Sequence, residues 1–388
     1  MADSKIRVCR DENMIRLGDV ATYINGYAFK PEDRGEEGLP IIRIQDLTGN
    51  AHDLGFYNGE YPKKVEINDG DILISWSASL GVYIWSEGKA LLNQHIFKVV
   101  FDKVAIDKNY FVYAVRRKLV EMGMKTHGAT MKHIVKKDFD ATLIPYPTLD
   151  KQAEIAVNLN KVSSFIEARE QELQLLDNLI KARFVEMFGD PVMNEKGWIT
   201  KSLLDMGRCK NGMNFHYDDE GVEINCLGVG DFKELSIIDN TDELPTVSLK
   251  EMPSEEYLLK DDDIVFVRSN GNKALVGRSI AVYPGNVPTT FSGFCIRYRK
   301  HDNEIIVPYL LRALKADSMR MKMTGRGANI QNLNQQILGT LVIPVPPIEL
   351  QNQFADFVKQ VDKSKVKVQK ALDETQKLFD SLMQQYFG

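Results

Sequence analysis

The stretch that decides the fold occurs twice in this chain. Residues 144–189 read IPYPTLDKQAEIAVNLNKVSSFIEAREQELQLLDNLIKARFVEMFG, and residues 343–388 read IPVPPIELQNQFADFVKQVDKSKVKVQKALDETQKLFDSLMQQYFG. Both begin with Ile-Pro-x-Pro, both end with Phe-Gly, and they align without a gap at an offset of 199 residues. Self-similarity of this kind indicates an internal duplication, which has to be settled before any single motif is interpreted.

The duplication extends upstream of the two long segments. GATMKHI at Gly128–Ile134 aligns with GANIQNL at Gly327–Leu333 at the same offset. Near the start of each half, DVATYINGYAF at Asp19–Phe29 aligns with DMGRCKNGMNF at Asp205–Phe215. The repeated unit is therefore a globular half followed by a long segment.

Each long segment is predicted to form a coiled-coil helix. Apolar residues recur every 3.5 positions over about five heptads, as a helix with a helical partner requires. The Ile-Pro-x-Pro stretches disfavour helix and mark where each helix begins. The alternative, two amphipathic helices each packed on its own globular half, stays open. The predicted seam residues are Ile155, Leu159, Val162, Ile166, Leu173, Leu176, Ile180, Phe354, Val358, Val361, Val368, Leu372, Phe379 and Leu382.

Four polar residues interrupt this seam, namely Arg169, Arg183, Lys365 and Thr375. Polar groups at seam positions weaken packing but can fix the register and orientation of the helices. For Arg183, a position at a frayed helix end or in contact with a partner protein is an equal alternative.

The globular halves are predicted to be α+β. Short β-branched and aromatic runs broken by Gly, Asn and Asp indicate strands; they are LPIIRIQDL, GDILISWSA, GVYIWSE and HIFKVVF in the first half, and DIVFVRS, RSIAVYPG and GFCIRYRK in the second. YFVYAVRRKLVEMGMK and PYLLRALKADSMRMKM each predict a helix. Each half thus contains a sheet and is closed by an extended helix.

Positive charge is concentrated locally in a chain whose net charge is −5. Seven Lys or Arg residues lie between Arg116 and Lys137, and five lie between Arg312 and Arg326, each run containing a single acid. One such run is commonly a solvated helix face. Two runs at matching places in a repeat favour binding to a polyanion, because phosphate contacts need Lys and Arg.

Composition excludes several classes of protein. The four cysteines, Cys9, Cys209, Cys226 and Cys295, are scattered without a C-x-x-C pair, so neither a zinc site nor a disulfide framework is expected. No apolar run approaches the length that spans a bilayer, and the N-terminal residues lack the apolar core of a signal peptide. We expect a cytoplasmic protein that does not bind a membrane.

The motifs of common enzymes are missing from the sequence. There is no G-x-x-x-x-G-K-[ST] phosphate loop, no H-E-x-x-H zinc pair and no G-x-S-x-G nucleophile turn. An Asn-Pro-Pro-Tyr or Asp-Pro-Pro-Tyr that could hold a flipped base is also lacking. The acidic run Asp261–Asp263 is expected to cap a strand rather than to bind a metal. We therefore predict no catalytic residue and no metal site.

The polar loops that remain are suited to recognition of DNA. Arg and Lys can bond guanine edges, Asn and Gln can bond adenine, and glycine lets the backbone approach phosphates. For any one loop, a turn whose polar side chains bond their own backbone is the alternative. The predicted DNA-contacting residues are Asn93, Gln94, His95, Lys125, His127, Thr130, Lys132, His133, Arg268, Asn270, Asn272, Lys273, Arg326, Asn329, Gln331 and Asn332.

Taken together, these motifs resemble those of the specificity subunit of Type I restriction-modification enzymes over essentially the full chain. The residues that carry the resemblance are GATMKHIVKKDFDATLIPYPTLDKQAEI, its looser second copy GANIQNLNQQILGTLVIPVPPIELQNQF, NQHIFKVV, GDILIS and the two Phe-Gly closures. The second copy has Asn329 where the first has Thr130. Each piece is short, but their order, spacing and duplication are specific together.

The resemblance implies an α+β fold in which two similar target recognition domains are separated by two long helices that form an antiparallel coiled coil, with pseudo-twofold symmetry. The implied domains are residues 1–147 and 191–346 for recognition, and 148–190 and 347–388 for the central and C-terminal conserved helices. Each recognition domain would read one half of a bipartite sequence in double-stranded DNA.

The resemblance also implies partners. Two adenine-N6 methyltransferase (modification) subunits and ATP-dependent restriction (endonuclease and translocase) subunits would join this non-catalytic chain. S-adenosylmethionine, ATP and Mg would bind those partners only, so no cofactor is expected here. A non-catalytic coiled-coil adaptor that binds only proteins is the alternative function, and a nuclease or methyltransferase fragment would need motifs that the sequence lacks.

Overall fold

A computed structural model of the chain describes residues 14–50, 53–125, 133–215, 221–232, 237–301, 303–324 and 332–388; the side chains of Lys125 and Lys273 are outside this description. The chain divides into two compact units. The first unit is Met1–Glu170 together with Lys370–Gly388, and the second is Gln171–Gln369. Each unit thus contains part of both long helices.

The first unit contains two four-stranded sheets and a two-stranded ribbon. The sheets have the orders β2-β9-β6-β7 and β4-β3-β8-β5, and β1 pairs with β10 in the ribbon. Its strands are β1 (Met14–Arg16), β2 (Thr22–Asn25), β3 (Leu39–Ile42), β4 (Gly55–Tyr57), β5 (Glu66–Ile67), β6 (Ile72–Ser75), β7 (Gly81–Ile84), β8 (Ala90–Leu92), β9 (Ile96–Val100) and β10 (Leu143–Pro145). Its helices are α1 (Leu17–Val20), α2 (Ile44–Leu47), α3 (Lys108–Lys125), α4 (Lys136–Ala141) and the start of α5 (Leu149–Phe188).

The second unit repeats this plan with a five-stranded sheet, a three-stranded sheet and a ribbon. The orders are β12-β19-β16-β17-β14, β15-β13-β18 and β11-β20. Its strands are β11 (Thr200–Ser202), β12 (Gly207–Asn211), β13 (Val222–Leu227), β14 (Ile237–Ile238), β15 (Thr246–Leu249), β16 (Asp263–Val267), β17 (Ser279–Val282), β18 (Thr289–Phe291), β19 (Cys295–Lys300) and β20 (Val342–Pro344). Its helices are α6 (Val307–Leu314), α7 (Asp317–Thr324), α8 (Gln335–Gly339) and the start of α9 (Ile348–Phe387).

Each repeated Ile-Pro-x-Pro stretch begins in a strand, and the long helix begins a few residues after that strand ends. Ile144 pairs with Ile15 in the first ribbon, and Ile343 pairs with Lys201 in the second. The Tyr110 hydroxyl of α3 donates to the carbonyl of Pro145 at 2.9 Å, and the Tyr309 hydroxyl of α6 makes the same bond to Pro344 at 2.9 Å. Each ribbon is thereby tied to the helix that follows its sheet.

Gln152 and Gln351 occupy equivalent positions in the two copies, and their buried hydrogen bonds explain why both are glutamine. Both side chains are fully buried. The Gln152 amide accepts from the N–H of Asp107 at 2.9 Å and donates to the carbonyl of Pro147 at 2.8 Å. A buried amide is stable only when it is hydrogen-bonded, and here its partners join the proline stretch to the start of the neighbouring helix.

The two Phe-Gly closures are helix ends. Gly189 and Gly388 have φ values of 76° and 89°, and each donates its N–H to the carbonyl four residues earlier, at 2.8 and 3.0 Å. This left-handed conformation after the last helical residue favours glycine, which has no Cβ.

In both units the two long helices run antiparallel. In the second unit Lys365 pairs with Asp177 at 2.7 Å, while Phe354 contacts Phe184 with ring centroids 5.4 Å apart. Residues with higher numbers in α5 therefore contact residues with lower numbers in α9. In the first unit, two tyrosines of α3 show the same relation. Tyr110 contacts Phe387 at the end of α9 and bonds Pro145 just before α5. Tyr113 contacts Phe379, earlier in α9, and bonds Asn160, further along α5.

All fourteen predicted seam residues are buried or half-buried. Three of the polar seam residues have partners within or across the two helices, and Lys365 has been described above. The Thr375 hydroxyl donates to the carbonyl of Ala371 at 2.6 Å, and Arg183 lies over the ring of Phe357 and pairs with Glu186 at 2.8 Å. The helix-partner prediction is confirmed, and each helix also packs on its own globular part, so the two alternatives are not exclusive.

Two local predictions were wrong. LPIIRIQDL was predicted as a strand, but only Leu39–Ile42 is extended and Ile44–Leu47 forms a helical turn. The Asp46 carboxylate causes this, because it accepts from the backbone N–H of Arg43 at 2.8 Å and from its guanidinium at 3.0 Å. The single helix predicted in the second half is two helices, α6 and α7, separated at Lys315 and Ala316.

Candidate nucleic-acid interface

In the first unit, the predicted residues Asn93, Gln94 and His95 form the tight turn between β8 and β9. The Gln94 N–H donates to the carbonyl of Tyr27 at 2.8 Å and to the Asn93 side-chain oxygen at 2.8 Å. His95 has a left-handed φ of 72°. The Asn93 side-chain oxygen thus has the turn role that the sequence left open, while its amide NH2 group is not used in that bond.

The turn is held close to the start of the globular half by a glycine. A Cβ on Gly26 would lie 2.0 Å from the Asn93 carbonyl oxygen, and one on Gly212 in the second unit would lie 2.1 Å from that of Ser292. No other residue fits such an approach. This explains the shared Asn-Gly of the two aligned segments near the domain starts.

Trp76, which the sequence did not single out, contacts both His95 and His133. Its ring centroid lies 4.9 Å from that of His95 and 4.8 Å from that of His133, both in edge contacts. Its indole N–H donates to the side-chain oxygen of Asn25 at 3.3 Å. Ser77 forms a β-bridge with His133, so the end of the GATMKHI motif meets the loop after β6.

The second unit makes the same junction. Ser269 forms a β-bridge with Asn332, and the Leu333 N–H donates to the carbonyl of Arg268 at 2.7 Å. Arg268 in turn donates its backbone N–H to the carbonyl of Phe294 at 2.8 Å. Since His133 and Asn332 are related by the repeat offset, the two junctions are equivalent.

The sequence already matches GDILISWSASLG with DDIVFVRSNGN as one strand-and-loop element, and the structure adds a match between the turns before β9 and β19. Trp76 directly follows β6, and Arg268 directly follows β16. The Trp76 N–H donates to the carbonyl of His95 in the turn before β9, and the Arg268 N–H donates to the carbonyl of Phe294 in the turn before β19. The side chain of Phe294 is 63% exposed. One exposed phenylalanine is ordinary by itself. Its position opposite His95 in the repeat makes Phe294 a binding candidate that sequence reasoning missed.

The polar loop after β16 is partly self-bonded. The Asn270 side-chain oxygen accepts from the N–H of Asn272 at 2.8 Å, and that of Asn272 accepts from the N–H of Ala274 at 3.0 Å. The Arg268 guanidinium donates to the carbonyl of Gly293 at 3.2 Å. The remaining predicted contacts lie outside the described residues; they are His127, Thr130, Lys132, Arg326, Asn329, Gln331 and the side chains of Lys125 and Lys273.

The two basic runs differ in how their charge is used. In the first unit Arg117 pairs with Glu121 at 3.2 Å, Lys118 pairs with the same carboxylate at 3.0 Å, and Lys136 pairs with Asp140 at 2.6 Å. These pairs fit the solvated-face interpretation. In the second unit Arg312, Lys315 and Arg320 line a cavity instead.

Metal binding and thiol chemistry can each be assessed for the residues that the structure describes. No group of three or more His, Cys, Asp or Glu side chains among them could hold a metal ion. Burial raises the pKa of Cys209 and of Cys226 to about 12, so these thiols do not form the thiolate that nucleophilic catalysis needs. Asp263 of the acidic run is buried and pairs with Arg299 at 2.7 Å, in keeping with a structural role.

A single family model matches the chain twice. It is the Type I restriction modification DNA specificity domain, matched over residues 10–178 and 195–375. Because these matches cover most of the chain, the protein belongs to this family. No helix in the described part of the chain has the length and apolar character needed to cross a membrane.

Curated relatives carry the same family name. The chain is 25% identical to the Type I restriction enzyme EcoBI specificity subunit of Escherichia coli, over 96% of this chain and 85% of the relative. It is 26% identical to the StySPI specificity subunit of Salmonella potsdam, over 96% and 87%, and 23% identical to the MjaVIII specificity subunit of Methanocaldococcus jannaschii, over 92% and 87%.

Two solved structures share the fold. The S subunit of a Type I restriction-modification system from M. genitalium superimposes with a TM-score of 0.53 at 17% identity, covering 99% of this chain and 98% of that chain. A chain from a structure that addresses complex assembly and conformational transition of the type I R-M system gives a TM-score of 0.56 at 14% identity, with 98% of both chains covered.

Proposed function

We propose that this chain is the DNA-reading subunit of a Type I restriction-modification complex and that each unit reads one half of a bipartite sequence. The observation that carries the proposal is the duplicated junction, Ser77 with His133 and Ser269 with Asn332. In both units it joins the recurring glycine motif to the loop after the inner strand. Two equivalent sites in one chain suit a target with two half-sites.

The two junctions offer different chemistry to DNA. The first presents Gln94 together with two histidines around Trp76, whereas the second presents Arg268, Asn332 and the exposed ring of Phe294. Amide side chains suit adenine, arginine suits guanine, and an aromatic ring suits the thymine methyl. Because the sets differ, the two half-sites would differ in sequence.

The chemistry of modification and cleavage would belong to partners. Two methyltransferase subunits would supply adenine methylation with S-adenosylmethionine, and restriction subunits would supply ATP- and Mg-dependent cleavage. The described residues of this chain offer recognition groups and no metal cluster. The role proposed for this chain is recognition and scaffolding, with catalysis assigned to the partner subunits.

The long helices would set the distance between half-sites. Each has 40 residues and is therefore about 60 Å long at 1.5 Å per residue. Major grooves on one face of DNA recur every ~34 Å. Deleting one heptad from both helices should shorten the preferred spacer, and an unchanged spacer would exclude this role.

The test is to map adenine methylation in cells that carry this chain with its methyltransferase subunits. The expected result is one motif with two defined halves and a spacer of constant length. Gln94→Ala should relax the first half only and Asn332→Ala the second half only, whereas Gln353→Ala on the exposed face of α9 should change neither. Methylation without a bipartite motif, or variants that relax both halves together, would refute the proposal.

A further inference from the structure

The second unit contains a cavity of about 260 Å³ whose wall is strongly basic. Lys181 projects from α5, Arg278 precedes β17, and Arg320 belongs to α7. The end of α6 adds two further cations. The charged lining residues are Lys181, Arg278, Arg312, Lys315, Asp317 and Arg320, which are five cations and one acid.

These positively charged side chains lie close together in a partly buried cavity, where like charges repel one another. Burial lowers the pKa of Lys315 to about 8; the positive charges of Arg312 and Lys365 add to the effect, and the carboxylate of Asp177 opposes it. Burial also lowers the pKa of Arg312 and of Arg320. Positive side chains that are partly desolvated and close together are stabilised when an anion binds among them.

A buried hydroxyl points to the same kind of ligand. Ser279 lines the cavity with only 3% of its surface exposed. Its side-chain oxygen has no hydrogen-bond partner among the residues that the structure describes. A buried hydroxyl without a partner is unfavourable, and an oxyanion in the cavity would accept its hydrogen bond.

The repeated fold does not require this charge. The corresponding groove of the first unit lies between the loop before β7 and α3, and its lining includes Leu80, Gly81, Leu119 and Val120. Among the described residues that line this groove, Arg116 is the one that carries a charge. Since the first unit forms the same elements with mostly apolar side chains, the described residues show this basic lining in the second unit and not at the corresponding groove of the first.

The cavity is tied to the second recognition loop. The Arg320 guanidinium donates to the backbone carbonyls of Ala274 and Val276, at 3.0 and 3.1 Å. Both carbonyls belong to the loop that begins at Arg268 and ends before β17. A ligand in the cavity would therefore lie at the base of that loop.

We propose that this cavity binds a phosphate group and that, given the proposed function, the phosphate belongs to the DNA backbone beside the second half-site. Phosphate contacts fix the register of a protein on DNA without reading its sequence. Neutralising a phosphate also releases counterions, so each contact contributes about 0.9 to the slope of log K against log salt. The cavity would thus position the second unit while the loop reads the bases.

The test compares the wild type with Arg312→Gln/Lys315→Gln, each assembled with the methyltransferase subunits. Affinity for the mapped target duplex and for an unrelated duplex is measured by fluorescence anisotropy between ~50 and ~200 mM salt. The variant should bind both duplexes about tenfold more weakly at low salt, with a slope reduced by about 1 and an unchanged ratio of the two affinities. The matched control is Lys196→Gln/Lys367→Gln, which removes the same charge from exposed positions in the same unit.

A second measurement separates DNA from free phosphate as the source. Inorganic phosphate is compared with chloride at equal ionic strength, and the melting temperature of the full chain without DNA is recorded. Phosphate should stabilise the wild type and the control but not the variant. Lys181→Gln, a change at an exposed side chain, repeats both measurements if the double variant fails to fold.

The outcomes separate the two proposals. Wild-type complex that does not bind DNA would refute the proposed function and the assignment to the DNA backbone with it. If the wild type binds DNA and the variant keeps its affinity and salt slope, the DNA assignment alone fails. Stabilisation by phosphate in that case would make free phosphate the ligand, and its absence would overturn the anion site altogether.

Discussion

Gln351 offers the sharpest test of how the duplicated segment holds a unit together. Its side chain is fully buried. Its amide oxygen accepts from the N–H of Ile306 at 3.0 Å, and its NH2 group donates to the carbonyls of Glu304 and Pro346 at 2.7 and 2.8 Å. Gln351→Met keeps the approximate volume of the side chain and removes all three bonds.

The magnitude follows from the groups that remain. A buried polar group that loses its partner costs about 1–3 kcal/mol, and a carbonyl, which has two lone pairs, falls at the low end of that range. Three such groups together predict a loss of about 3–5 kcal/mol in the free energy of unfolding of the second unit. For a unit of this size, that loss corresponds to a decrease in melting temperature of about 6–20 °C.

The measurement is thermal and urea unfolding followed by circular dichroism. Gln353→Met is the matched control, because Gln353 lies two residues away on the same helix and is exposed. That control should change the free energy of unfolding by less than about 0.5 kcal/mol. If Gln351→Met and Gln353→Met are equally stable, the buried amide does not join the proline stretch to α6, and the explanation of the repeated glutamine is wrong.

Three further outcomes are expected. Asp263→Asn removes a buried carboxylate from its arginine partner and should cost about 3–5 kcal/mol in urea unfolding, whereas Asp262→Asn in the adjacent exposed turn should cost little. A double-mutant cycle on Lys365 and Asp177 should give a coupling below about 1 kcal/mol that falls further in concentrated salt, because both side chains are partly exposed. Folding lowers the pKa of Lys315 from 10.5 to about 8, so the folded state binds fewer protons than the unfolded state between these pH values. Relative to Lys315→Met, the free energy of unfolding of the wild type should therefore rise by about 1 kcal/mol from pH 7 to pH 9. A difference that stays constant with pH would contradict the burial of this side chain.

Much of the fold could be predicted from local sequence. The heptad spacing of the long segments identified α5 and α9, because burial of one helical face requires apolar residues at that period. Alternating β-branched runs likewise identified β6, β9 and β16. Errors arose where a single side chain outweighed the pattern, as when the Asp46 carboxylate bonded the N–H of Arg43 and turned an apparent strand into a helix.

Three features can be read from the sequence without coordinates: the duplication of the chain, the joining of an α+β half to a long helix in each copy, and the resemblance to a family. These features are encoded in spacing, and spacing is visible without coordinates. Only the tertiary structure brought Trp76 between His95 and His133, placed Phe294 opposite His95 in the repeat, and gathered Lys181 with the cations of α6 and α7. The physical reason is that such groups meet through contacts between residues tens to more than a hundred positions apart, and no local period records which distant side chains a fold will bring together.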